Sequence, residues 1–349
     1  MKQTPQQALC HWFERNARDL PWRRRPTPYR VWVSEIMLQQ TRVEAVRDKF
    51  VAFLRRFPTA RALAEAPIEQ VLQAWSGLGY YRRARMLHTA SRQVVARHSG
   101  RVPRDRAALL ALPGIGRYTA GAVLSIAFNQ MEPIVDGNIE RVFARMHRIA
   151  VPKRGTKVWT LAEQWVRDGG QQGLAPADLN QSLMELGATV CTPRNPRCGD
   201  CPCAASCAAF KAGSVSHYPA PARRKKKQRL RYLVLAVRDG AGRVLMRRRN
   251  EGDNTSVLPA GLWELPHAAW ADDQPPPTVS ALGGRIEAVG QPVTVRHSIM
   301  EFDVQLAVQA AVVVGSVRGR WFTERAAENA AIASATRKAL AACRRLSAG

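Results

Sequence analysis

Acidic side chains are in short supply in this 349-residue chain: 27 Asp and Glu stand against 53 Lys and Arg, a formal charge of +26. The sequence pI is near 11.0. That imbalance disfavours cationic partners and points to polyanions, of which nucleic acid is the default for a soluble basic protein. An anionic membrane surface is one rival, and the arginine habit of a GC-rich genome is another. No apolar run approaches the length needed to span a bilayer, and no basic amphipathic helix with a broad apolar face is present to lie on one. The N-terminus MKQTPQQALCHW lacks an apolar signal core, which predicts a cytoplasmic protein. Cysteine is also sparse, with seven in the whole chain, yet five of them fall between positions 191 and 207.

Hydrophobic residues make up 46% of the chain, so most of it is expected to fold, and its length suits two domains. Up to about residue 210 the apolar residues recur at spacings of three and four. Helices are predicted over 6–17, 28–55, 59–75, 81–98, 106–112, 117–129, 138–149, 156–168 and 176–190. Residues 214–231 read as an extended basic linker, with seven basic residues among the nine from Arg223 to Arg231. Beyond it the texture is β. YLVLAVRD, a turn at Gly240-Ala241-Gly242 and RVLMRRR predict a hairpin with outward arginines. VTVRHSIMEFDVQLAV and AAVVVGSV follow as strands, then a closing helix near Glu328–Leu346. Helices first and sheet later predicts a multi-domain chain, α then α/β.

Four cysteines, Cys191, Cys198, Cys201 and Cys207, are spaced C-x6-C-x2-C-x5-C. Zinc ribbons more often pair two C-x2-C units across a longer span. One x2 step between longer loops suits an iron–sulfur centre, which is held by four thiolates. Zinc stays open, and a disulfide knot would need an oxidising compartment. Cys10, Cys203 and Cys343 fall outside the spacing.

Three further features carry chemistry. Thr27-Pro28 is a helix start, and the helix through YRVWVSEIMLQQTR is apolar nearly all round. Glu35 within it is either on one wet edge or buried, and a buried carboxyl acquires a raised pKa suited to donating a proton. Leu112-Pro113-Gly114-Ile115-Gly116 lies between two apolar helices, a helix-hairpin-helix pattern whose backbone N–H groups suit a phosphate. Val135-Asp136-Gly137-Asn138 is either a capping turn or the carrier of a second functional carboxylate.

Taken in order, SEIMLQQT, GLGYYRRARML, LPGIGRYTAGA, VDGN and the four-cysteine spacing resemble the MutY family of adenine DNA glycosylases. That family belongs to the helix-hairpin-helix, iron–sulfur superfamily that includes endonuclease III. The resemblance is dense over residues 8–210. It continues more loosely into a Nudix-like domain through GLWELP (Gly261–Pro266). It implies an all-α helix-hairpin-helix glycosylase domain with a [4Fe–4S] module over 1–213, the linker, and a Nudix-like α/β recognition domain over 232–349. The acidic Nudix box is missing, so pyrophosphate hydrolysis is not expected.

The resemblance implies a monomeric base-excision repair enzyme, bacterial and nucleoid-associated. It would bind double-stranded DNA at A:8-oxoguanine or A:G mispairs and flip the adenosine into a pocket. Glu35 would protonate the departing adenine and Asp136 would steady the cationic sugar, as in two-carboxylate glycoside hydrolysis. Asn138 and Tyr118 would support them, while Gln40 and Tyr80 fill the gap in the duplex. Thr41, Tyr81, Arg82, Leu112, Gly114, Gly116 and Arg117 complete the implied DNA surface, and Cys191, Cys198, Cys201 and Cys207 would hold the cluster. Bifunctional relatives carry a Schiff-base lysine where this chain has Tyr118, so a monofunctional enzyme is expected. An endonuclease III-like lyase and a catalytically silent DNA-binding or redox-sensing protein are the alternatives. One departure concerns the lesion. In the family a Phe-Ser-His triplet on a strand tip reads 8-oxoguanine, whereas the segment His297, Ser298, Ile299, Met300, Glu301 puts Ile-Met-Glu at those positions. An altered opposite-base preference is the consequence considered.

Overall fold

In this computed structural model, residues 3–150, 155–220, 227–250, 252–253, 256–271 and 285–346 are described. Among them the first twelve helices are α1 (Pro5–Asn16), α2 (Pro28–Leu38), α3 (Val43–Arg56), α4 (Ala60–Glu65), α5 (Ile68–Ala74), α6 (Tyr81–His98), α7 (Arg106–Leu110), α8 (Arg117–Ala122), α9 (Gly137–Met146), α10 (Thr156–Gln171), α11 (Pro176–Thr189) and α12 (Ala208–Lys211). Seven strands follow: β1 (Gln228–Val237), β2 (Val244–Arg248), β3 (Trp263–Glu264), β4 (His267–Ala269), β5 (Arg285–Ile299), β6 (Phe302–Val314) and β7 (Arg320–Phe322). Helices α13 (Glu324–Asn329) and α14 (Ser334–Leu346) close the chain. The chain divides into two compact units, Met1–Ala66 with Arg82–Arg223, and Pro67–Tyr81 with Arg224–Gly349.

Local rules set the helix starts of the first unit. Thr4 caps α1 in a reciprocal capping box with Gln7, and Asp105 caps α7 by accepting from Ala108 N. Thr27 sits at the N-cap of α2 but makes no capping hydrogen bond, so Pro28 alone marks that start. The single helix expected over 28–55 is two, because the chain turns through Gln39–Arg42 with Gln40 in the left-handed region (φ +55°). Pro67 likewise splits 59–75 into α4 and α5. The helix expected over 117–129 passes from α8 into a π-helical turn, Val123–Ala127. Part of the core gathers around α9, α10 and α11, where Ile139, Val142, Phe143, Ala162, Leu179, Leu183 and Leu186 are buried together.

The second unit contains two sheets, β4-β1-β6-β5 and β3-β2-β7. Its expected first hairpin does not form. Strand β1 runs parallel to β6 along its length, and β2 pairs with β3 and β7, leaving one bridge, Arg238↔Val244, between the two. The turn residues behave as the sequence suggests, with Asp239 accepting from Ala241 N and Arg243 N. The strands part because β1 is apolar on both faces. Tyr232 and Val234 pack with Ala335 and Ala339 of α14, while Leu233, Leu235 and Val237 pack with Leu245. Arg249, expected to point outward, is buried and paired with Glu264 at 2.7 Å. Strand β1 begins at Gln228, inside the stretch read as linker; Arg223–Lys226 lie outside the described residues. The closing helix starts at Ser334 instead of Glu328.

Candidate active site

Helix α2 is buried on nearly every side, with Trp32, Val33 and Met37 at 0% exposure, and it carries Glu35 inward at 4%. A carboxyl there cannot be well solvated. Burial pushes it up to about 7, the Tyr118 hydrogen bond pulls the other way, and the charge of Asp136 adds to the rise. The Tyr118 hydroxyl donates to Glu35 Oε2 at 2.7 Å. The open carbonyls at the end of α2 are satisfied from α6 by buried Arg83. Its Nη1 donates to Ile36 O (2.8 Å), Met37 O (3.0 Å) and Gln39 O, and its Nη2 to Thr41 Oγ1 (2.9 Å).

Asp136 is the N-cap of α9. Its Oδ1 accepts from Asn138 N (2.9 Å) and Ile139 N (2.8 Å), and its Oδ2 from Asn138 Nδ2 (2.9 Å). Burial raises its carboxyl and these donors lower it. Capping and a functional carboxylate are therefore compatible at this residue. Arg141 braces the loop, donating to Asn138 Oδ1 (2.9 Å), Gly187 O (2.6 Å) and Cys191 O (2.7 Å). A Cβ on Gly187 would lie 2.6 Å from Asn138 Cβ, so only glycine lets α11 come this close.

Between α7 and α8 the chain turns at Gly114 (φ +83°), where a Cβ would meet Met86 at 3.0 Å. Gly116 caps α8 with ordinary extended backbone and open space around it, so of the two hairpin glycines only Gly114 is required by the geometry. The Leu112 side chain is buried and can support the turn but not touch a ligand. Arg117 lies over the Trp159 ring at 3.7 Å and pairs with Glu163 at 2.6 Å.

A cavity of about 750 Å³ gathers these elements. Glu35, Gln40, Thr41, Gly116, Arg117, Tyr118, Asp136 and Asn138, all singled out in the sequence, line it together. Arg18, Arg23, Trp22 and Glu185 line it too. Sequence reading missed these, because Arg18 and Glu185 are 167 positions apart and no motif links them. Tyr80, Tyr81, Arg82, Leu112 and Gly114 are not part of the lining. Tyr80 is 41% exposed at φ +47°, and Arg82 is exposed. Tyr81, expected on the DNA surface, is instead buried, its hydroxyl donating to Ile332 O at 2.7 Å.

In the second unit, Ile299 pairs with Phe302, leaving Met300 and Glu301 as a two-residue hairpin tip. Met300 is 63% exposed. Below the tip, Ser298 Oγ accepts from Lys227 Nζ at 2.7 Å, and His297 is half-buried with its imidazole pKa lowered by that burial.

Cys191, Cys198, Cys201 and Cys207 line one small pocket with Val190, Ala204, Phe210 and Val215, and Arg145 Nη1 lies 3.2 Å from Cys191 Sγ. Among the described residues no group of three or more Cys, His, Asp or Glu is placed to hold a metal ion. Four soft thiols around an apolar pocket, with a cation beside one of them, fit the donor set of an iron–sulfur cluster.

Residues 33–168 match the HhH-GPD superfamily of base excision DNA repair proteins, and residues 233–342 match the NUDIX domain family. A solved thermostable thymine-DNA glycosylase is similar in fold, with a TM-score of 0.54 at 29% identity over 59% of this chain and 95% of that one. The rat adenine DNA glycosylase (Rattus norvegicus) is 45% identical over 216 residues, 58% of this chain and 41% of the rat protein. The human adenine DNA glycosylase (Homo sapiens) is 34% identical over 404 aligned residues, covering 95% of this chain and 72% of the human protein. An α-helical unit with two carboxyls in one cavity, joined to a Nudix-like α/β unit, agrees with that likeness in both halves: the chain belongs to the adenine DNA glycosylase family.

Proposed function

We propose that the chain removes adenine from A:8-oxoguanine and A:G mispairs in double-stranded DNA by hydrolysing its N-glycosidic bond, without cutting the strand. The observation that carries this reading is the shared cavity of Glu35 and Asp136, two carboxyls in different surroundings. Glu35, buried and shifted to about 7, holds a proton near neutral pH. It gives that proton to a ring nitrogen of the departing purine, and Tyr118 keeps its carboxyl aimed. Asp136, fixed by Asn138 and Ile139, presents negative charge to the oxocarbenium-like deoxyribose left when the C1′–N bond breaks. Water then adds at C1′, its proton passing to the Glu35 carboxylate. Tyr118 has a phenol where bifunctional enzymes need an amine, so no imine forms.

We assign Cys191, Cys198, Cys201 and Cys207 as the ligands of a [4Fe–4S] cluster, which when bound ties the loop after α11 into one piece. We assign Gln40 and Tyr80 as the residues that fill the gap left in the duplex, and residues 232–349 as the recognition domain for the opposite base. A second reading concerns specificity alone. Ile299, Met300 and Glu301 stand where hydrogen-bonding readers are expected, which favours a relaxed preference between 8-oxoguanine and guanine.

Single-turnover assays on A:8-oxoguanine, A:G and A:C duplexes, with and without alkali, test both. Adenine release with strand breaks only after alkali is the expected result. Borohydride trapping of a covalent complex would sink the monofunctional reading. Equal rates on the first two duplexes would select the relaxed one. Iron and acid-labile sulfide should be present in the purified protein and fall in Cys201→Ser.

A further inference from the structure

The cavity holds a charge arrangement that the two-carboxylate reading leaves unused. Glu185 projects from α11 with its side chain 0% exposed. Its Oε1 accepts from Arg18 N (3.0 Å) and Arg18 Nε (2.7 Å), and its Oε2 from Arg18 Nη2 (3.0 Å) and Arg23 Nη2 (2.8 Å). Arg23 Nη1 donates back to Arg18 O at 3.1 Å, and its guanidinium lies over the Phe13 ring at 5.2 Å. One carboxylate thus fixes two cations on a wall of the cavity that also holds Glu35.

A guanidinium charge near a buried carboxyl favours its ionised form, as Arg23 does at Glu35, and a general acid must resist that. The charged and titratable groups around Glu35 are few: Tyr118 from α8, Asp136 at the start of α9, Arg23 from the segment after α1, and beyond them Arg18, Arg117 and Glu185 in the lining. Arg117 is already paired with Glu163. The Arg18–Arg23 pair carries a charge of two, and Glu185 is the acidic group bound to both. We infer that Glu185 is a positioning residue for the glycosylase reaction: it holds and partly neutralises Arg18 and Arg23, so that their charge does not ionise Glu35. Although burial pushes its own carboxyl up, the Arg18 and Arg23 bonds outweigh that and keep it below the usual range, so it stays charged at assay pH. Any acceptor of this shape would serve a merely structural role; the inference requires the negative charge.

The test is the pH profile of single-turnover adenine release, measured on a full-length, enzyme-saturated A:8-oxoguanine duplex. It rests on the proposed function: a wild-type protein that releases no adenine defeats that reading, and an active wild type with unmoved profiles in the variants defeats only this one. In the wild type the rate falls as pH rises and Glu35 loses its proton. Glu185→Gln should move that falling limb to lower pH by at least about half a unit. Arg23→Gln, removing one of the cations, should move it to higher pH. Limbs that stay put in both variants, or that move in the same direction, overturn the inference. If circular dichroism shows Glu185→Gln unfolded, Glu185→Asp, which keeps the charge, should leave the limb in place while Arg23→Gln moves it upward. A limb moved by Glu185→Asp or unmoved in Arg23→Gln overturns the inference.

Discussion

A carboxyl held in its protonated form has a cost that the fold must carry. Glu35 has an ordinary value of 4.5 and is raised to about 7 in the folded chain. A raised folded-state pKa contributes stability below the unfolded value and loses it as pH climbs through the folded one. Glu35→Gln, which cannot ionise, should therefore unfold at higher temperature or denaturant than the wild type at pH 8. The margin should be on the order of 3 kcal/mol and should close below about pH 4.5. The same variant should release adenine about 10²–10⁴-fold more slowly. Greater stability together with slower chemistry is the expected signature, and a variant less stable at pH 8 would contradict it. This residue was legible in the sequence because an all-round apolar helix leaves an ionisable side chain nowhere to go. The Arg18–Arg23–Glu185 group was not, since its members are ordinary surface residue types brought together only by the packing of α1 and α11.

Element boundaries follow from neighbours as much as from local preference. The split after Leu38 was hidden because LQQTR continues a helical pattern; the chain leaves the helix at left-handed Gln40, and Arg83 from α6 satisfies the carbonyls left open. The missing β1–β2 hairpin has a similar cause: the turn chemistry is correct, but β6 takes one edge of β1 in parallel and β4 takes the other at Tyr232–Val234. The helix-hairpin-helix turn and the α9 cap, which need only short-range rules, emerge as expected. At this scale the sharpest prediction is Gly187→Ala. A methyl there would press on Asn138 and push α11 from the start of α9. Overpacking of this kind costs about 1–3 kcal/mol. Displacing the Asp136 loop by about 1 Å should slow adenine release some 10²-fold. Thermal unfolding measured beside single-turnover rates checks both, and a variant of unchanged rate would show that the close approach of α11 does not set the loop.

For the molecule as a whole, the excess of basic over acidic residues should dominate binding to DNA. Binding to a short duplex should weaken with salt, log Kd rising linearly with log salt with a slope near +0.9 per phosphate contacted. Fluorescence anisotropy from about 50 to 200 mM salt measures it, and a flat dependence would contradict phosphate-led binding. Removing Arg117 should reduce the slope by about one unit, provided its pairing with Glu163 opens to a phosphate. Two units of different texture were legible from periodicity alone. The inclusion of Pro67–Tyr81 in the second unit was not, for it depends on single contacts such as Ser76 Oγ with Arg337 at 2.9 Å.

Arg141 gives this architecture a particular vulnerability. One side chain grips the residue that steadies Asp136 and also the backbone of the first cysteine, so slack in the cysteine loop reaches the chemistry by a single strut. The loop also packs on the core of the first unit, so damage there should appear both as lost stability and as slower bond breaking. Inherited or oxidative lesions in that loop, remote from the scissile bond, should thus be sought by kinetics before they are dismissed as benign.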